Sequence, residues 1–164
     1  MGTTTLDGTG NGNVGAITGA AWTNLGRFGN ALSFTGSHMV TVNDANTLDL
    51  TNGMTLEAWV YPTAAPADWS SVIIKEQPGD LVYGLYSGMW GNNRPTGWGF
   101  VSVATAVYGN GALPTNTWTH LATTFDGTTL RLFVNGVQTA TQALSGNLRV
   151  STGALRIGGN AVWG

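Results

Sequence analysis

The chain has 164 residues, room for one domain of ordinary size and little more. Charged residues make up only 9% of it, against about 25% in an average globular domain, while glycine fills 25 positions, about twice the usual share. A formal net charge of -2, with Lys75 the single lysine and five scattered arginines, provides no basic stripe for a phosphate backbone or an anionic bilayer surface, which argues against nucleic-acid and membrane partners. No apolar run approaches the ~20 residues that span a bilayer, and Met1-Gly2-Thr3 lacks the layout of a signal peptide. The absence of cysteine removes disulfides, thiol nucleophiles and cysteine-type zinc sites together.

Period-2 runs rich in β-branched and aromatic residues recur along the whole chain, separated by Gly, Asn, Pro and Thr clusters. They predict strands at Ala16–Trp22, Ala31–Phe34, His38–Asn43, Met54–Tyr61, Ser71–Glu76, Leu81–Ser87, Gly97–Ala104, Trp118–Asp126, Thr129–Val134, Val137–Ala143 and Ala154–Ile157. Thr63–Pro66 and Gly88–Gly99 read as loops inside the domain. Asp126-Gly127 and Asn135-Gly136 tolerate positive φ, so the three strands they join form consecutive antiparallel hairpins. In Met54–Tyr61 both faces carry large side chains, as expected of a strand covered on both sides. The fold class is therefore all-β, a single domain over residues 1–164 folded as a two-sheet antiparallel jelly-roll sandwich.

Six segments, in order, carry a family resemblance: Ala31-Leu32-Ser33-Phe34, Val40-Thr41-Val42, Met54 to Val60, Trp118 to Ala122, Leu130 to Gly136, and Leu155 to Gly159. Together they resemble the bacterial laminin-G-like, concanavalin A-like lectin/glucanase jelly roll over nearly the whole chain. Asp7-Gly8-Thr9-Gly10-Asn11-Gly12-Asn13 is similar to that family's early loop. The resemblance implies a strand before this loop and a closing strand after Trp163 that have no counterpart here. It thus predicts a sandwich lacking its first and last strands, with an open slot that recruits a strand.

Catalytic candidates are few. The only glutamates are Glu57 and Glu76, and the clustered carboxylates with which related glucanases cleave sugars are missing, so the chain reads as a non-enzyme. Glu57 and Lys75 are candidates for a partly buried ion pair, His38 for a solvent-facing strand start, and His120 with Asp126 lacks an elbow serine. Calcium is the candidate cofactor, held by Asp7, Asn11 and Asn13 as hard oxygen ligands; the competing reading is that these residues only stabilise the turn. Sugar stacking calls for exposed aromatic faces beside hydrogen-bonding groups, and Tyr83, Tyr86, Trp90, Asn92, Asn93, Arg94, Trp98 and Tyr108 supply both types. Trp22, Trp59 and Trp118 fit core positions, while Trp69 and Trp163 fit either role.

The expected function is a non-catalytic extracellular or cell-surface binding module of a bacterial protein, with carbohydrate or a cell-surface glycan as partner. A second expectation is the large fragment of a split protein, capturing complementary β-strand peptides or a second copy of the chain by β-augmentation. A structural spacer is the third.

Overall fold

The computed structural model describes residues 2–91 and 93–163. Its strands are β1 Thr4–Thr5, β2 Gly15–Thr18, β3 Ala21–Gly26, β4 Gly29–Ser33, β5 Met39–Val42, β6 Met54–Val60, β7 Ser70–Gln77, β8 Asp80–Met89, β9 Arg94–Phe100, β10 Ala104–Tyr108, β11 Thr119–Phe125, β12 Thr129–Val134, β13 Val137–Ala143 and β14 Leu155–Ile157. One 3-10 turn, Asn46–Leu48, interrupts them. The large sheet runs β1-β2-β5-β14-β7-β8-β9-β10, the small one β13-β12-β11-β6, and β3–β4 stands apart as a hairpin. All-β sandwich and jelly-roll expectations both hold.

Alternation explains how the two sheets meet. From the small sheet, Leu56, Leu121, Phe125, Leu130 and Leu132 point inward; from the large sheet, Val72, Val82, Tyr83, Leu85 and Val107 meet them. Each fully buried leucine contributes about 1.5–3 kcal/mol of transfer free energy. The sheets approach closely at Gly97, where any Cβ would overlap the Thr123 hydroxyl. That hydroxyl donates to Arg131 O at 2.9 Å, so no polar atom is stranded by the close approach.

Charged groups fasten β14 between β5 and β7. Lys75 is 1% exposed and binds Asp44 and Gly153 O, while Arg156 joins Glu76 at 3.0 Å and Thr41 Oγ1 at 2.5 Å. The expected Glu57–Lys75 pair is therefore corrected. Glu57 lies on the opposite, solvent-facing side of β6 and sits 3.6 Å from His120 Nε2.

Several boundaries also differ. The single strand expected at Ala16–Trp22 breaks at Gly19, whose φ of 76° turns the chain, so β2 and β3 belong to different sheets. The loop expected at Gly88–Gly99 is largely strand, because its glycines serve close packing: Gly88 lies against Pro66 and Ala67, Gly97 against Thr123, Gly99 against Leu144 and Leu148. Pro95 is tolerated within β9 because it falls where the β8–β9 register shifts. Asp126-Gly127 is not a two-residue turn: the Asp126 carboxylate closes a longer loop, accepting from Thr128 N, Thr128 Oγ1 and Thr129 N. Asn135-Gly136, with φ of 51° and 77°, is the two-residue turn expected. His38 is half-buried, its ring accepting a hydrogen bond from Thr35 N, instead of standing free in solvent.

Candidate functional site

The outer face of the large sheet, turned away from the sandwich core, carries a second apolar cluster: Ile74, Leu81, Tyr86, Met89, Trp98 and Tyr108. Pairing brings it together, since Tyr86 stands opposite Thr96 and Tyr108 opposite the same residue, while Trp98 lies across from Gly84. Gly84 leaves space that Leu81 and Ile74 fill; a Cβ there would sit 2.9 and 3.0 Å from them.

Two turns then cover this face with tryptophan. The β6–β7 connection supplies Trp69, whose ring meets Tyr86 edge-on at 5.9 Å, Trp90 at 5.1 Å and Trp163 at 6.1 Å. Asp68 Oδ1 accepts from Gly91 N at 2.7 Å and ties this connection to the β8–β9 turn. Trp69, Trp90 and Trp163 are 39%, 53% and 50% exposed, so a platform of three indoles faces solvent. Trp69 and Trp90 hold φ of 63° and 56°, and Asn93 holds 48°. Bulky residues rarely adopt the left-handed region, and strain of this kind costs about 1–3 kcal/mol per residue and clusters at ligand clamps.

On the strands of the same outer face, polar side-chain atoms are left without partners. Tyr86 OH, Arg94 Nε and Trp98 Nε1 are buried and make no hydrogen bond, three of the five such side-chain atoms among the described residues. An unmet buried donor costs about 1–3 kcal/mol, so three in one cluster call for an explanation. The Arg94 guanidinium lies 4.5 Å over the Tyr108 ring. Burial, and secondarily the charge of Asp80, pushes the Tyr86 hydroxyl well above its ordinary range, so it remains a protonated donor at neutral pH.

A groove of about 1020 Å³ runs between β4 and β6 and reaches Trp69 of the platform, with Ala31, Leu32, Ala58, Val60 and Trp118 along it. β6 pairs only with β11 and β4 only with β3, so each presents a free edge among the described residues. Trp59, which also lines the groove, meets His120 at 5.3 Å and Phe28 edge-on at 5.8 Å, with Arg27 over its ring.

The Asp7 loop is closed by its own carboxylate. Oδ1 accepts from Thr9 N and Thr9 Oγ1, and Oδ2 from Asn13 N, which lowers its pKa to about 2. The Asn13 side chain is bonded to Thr47 at 3.1 Å. No three His, Cys, Asp or Glu side chains converge as a metal site among the described residues. A calcium ion would have Asp7 as its one carboxylate, already accepting three hydrogen bonds, and the rest of its shell from amides and carbonyls.

The family model of the concanavalin A-like lectin/glucanases superfamily matches residues 34–164. The chain belongs to this superfamily. No curated protein matches the sequence of this concanavalin A-like domain. Among solved structures it is similar to domain 4 of AbnA, a GH43 extracellular arabinanase from Geobacillus stearothermophilus, in complex with arabinotriose. The two are 23% identical with a TM-score of 0.76, over 94% of this chain and 77% of the other, which speaks for a shared fold.

On this concanavalin A-like frame, Tyr86, Trp98 and Tyr108 share one cluster, Arg94 lies over Tyr108, Trp90 meets Trp69, Asn93 sits in the β8–β9 turn, and Asn92 lies outside the described residues. Tyr83 does not join them. It points into the sandwich core, 1% exposed, with its hydroxyl donating to Leu48 O at 2.8 Å, because Tyr83 and Tyr86 project from opposite faces of β8. The core assignments for tryptophan also change: Trp59 is 38% exposed, Trp118 lines the groove beside Tyr61, and Trp22 is half-buried with its indole donating to Gly2 O. Trp69 and Trp163 complete the platform, and no local sequence signal distinguishes them, since both contacts are made across the fold.

Proposed function

We propose that this concanavalin A-like domain is a non-catalytic carbohydrate-binding module of an extracellular protein, with the Trp69–Trp90–Trp163 platform as its sugar-stacking surface. The observation that carries the reading is a solvent-facing indole surface, two of its members held at positive φ, with one of its rings edge-on to Tyr86, whose buried hydroxyl has no partner among the described residues. Sugar rings present C–H faces to aromatic planes and oxygen acceptors at their rims, which is what such a surface complements. The arabinotriose complex of the structural neighbour supports the same class of ligand. Glycan-array screening followed by calorimetry tests it. Trp90→Ala and Trp69→Ala should each weaken binding at least about ten-fold, or roughly 1.4 kcal/mol; binding by the intact domain that neither change affects overturns the site.

A different observation favours a second reading, strand capture. Among the described residues two free strand edges flank one groove of mixed lining, and an extended peptide could hydrogen-bond to an edge while inserting alternate apolar side chains toward Leu32, Val60 and Trp118. Light scattering of the purified chain, alone and with an alternating apolar peptide, checks it: a monomer that ignores the peptide removes this reading.

Calcium at the Asp7 loop is a separable proposal. Binding to the folded form must raise stability by mass action, so a melt unchanged between excess calcium and excess chelator removes it.

A further inference from the structure

The unpartnered donors on the outer face that carries the tryptophan platform are not a mixed set. Arg94 Nε and Trp98 Nε1 can only donate, and Tyr86 OH stays protonated. One of the three belongs to a full positive charge. The ion pairs of the described residues join Lys75 to Asp44, His120 to Glu57, Arg131 to Asp126 and Arg156 to Glu76, which leaves Arg94 with no described carboxylate partner. Arg27 and Arg149 also lack one, but neither has a buried N–H without a partner among the described residues, and Arg149 Nε donates to Val101 O. Acids on the neighbouring segments are engaged by backbone: Asp68 accepts from Gly91 N and Asp80 from Leu81 N.

Resting on the carbohydrate reading, we propose that this site selects glycans containing a uronic acid, the sugar carboxylate being received by Arg94 while the ring stacks on the platform. A guanidinium offers a planar fork of donors that matches a carboxylate, and such charge-assisted bonds are about twice as strong as neutral ones. Stacking on Tyr108 keeps that fork in a defined plane, so little side-chain freedom is lost on binding. A neutral sugar would fill the stacking surface but leave the cation without its counter-charge.

Calorimetry with short oligogalacturonate and oligomannuronate, against their carboxyl-reduced counterparts of the same stereochemistry, tests the inference. At least one acidic oligomer should bind about ten-fold or more tighter than its neutral counterpart, and raised salt should narrow the gap. Arg94→Gln should abolish the preference, so that the acidic oligomer and its reduced counterpart bind equally to that variant, with its fold checked by circular dichroism. Equal binding of the acidic and reduced forms, or a preference that survives Arg94→Gln, overturns the uronate inference and leaves the carbohydrate reading standing. No binding by any member of a panel spanning neutral and acidic glycans overturns both.

Discussion

Lys75 shows most plainly how one side chain is committed by its surroundings. The single lysine is buried to 1% exposure, where a charge survives only because Asp44 and Gly153 O receive it. Lys75→Met keeps the stem and removes the charge, leaving Asp44 without its partner; chemical denaturation should show a loss of about 3–5 kcal/mol, partly recovered when Asp44→Asn is added. Asp7 acts through a different balance. Its folded pKa, lowered to about 2 from an ordinary value of 3.8 by hydrogen bonds from Thr9 and Asn13, means that its ionised form stabilises the loop above about pH 4. That contribution is lost as pH falls through about 2. Melting temperature followed from pH 5 down to pH 2 should decline, and Asp7→Asn should decline less over the same interval. Asp126, held low first by Arg131 and then by Thr128, loses its contribution at still lower pH.

At the scale of elements, alternation and turn chemistry made β6, β7, β11, β12 and β13 legible, because in each of them burial alternates or the bounding turn has a required residue. β9 was legible only from Gly97 onward, and β10 was not separated from it. The glycines and proline of β9 carry the local signature of a loop, yet the residues that Gly97 and Gly99 face lie in β11 and beyond β13. Gly97 is the decisive case, since its missing side chain sets how closely the two sheets approach at Thr123. Gly97→Ala should cost about 1–3 kcal/mol by over-packing, measured as a lower denaturation midpoint with an unchanged slope. The candidate site shows the same division. Tyr86, Trp90, Arg94, Trp98 and Tyr108 could be gathered because they sit on or next to adjacent strands, whereas Tyr83 was grouped with them by proximity in sequence, although plain alternation over the regular stretch from Tyr83 to Tyr86 puts the two tyrosines on opposite faces.

At the scale of the whole molecule, two surfaces meet at Trp69. The outer face of the large sheet is covered by tryptophans, while the groove between β4 and β6, which Trp69 also lines, is flanked by backbone edges without strand partners among the described residues. Hydrogen exchange separates these conditions. Amides of β6 that bond to β11 should be protected, and those on its groove edge should exchange much faster; uniform protection along β6 would show that the edge is closed in solution.

Composition and periodicity by themselves determined that this chain is an all-β sandwich, because strand periodicity and turn residues act over a few positions. Tertiary structure alone decided which tryptophans form a surface, which arginines have no carboxylate partner among the described residues and where Lys75 finds its partner. Those properties depend on contacts such as Trp69 with Trp163 and Lys75 with Asp44, made between segments far apart in the chain, and on which face of a twisted strand each side chain leaves.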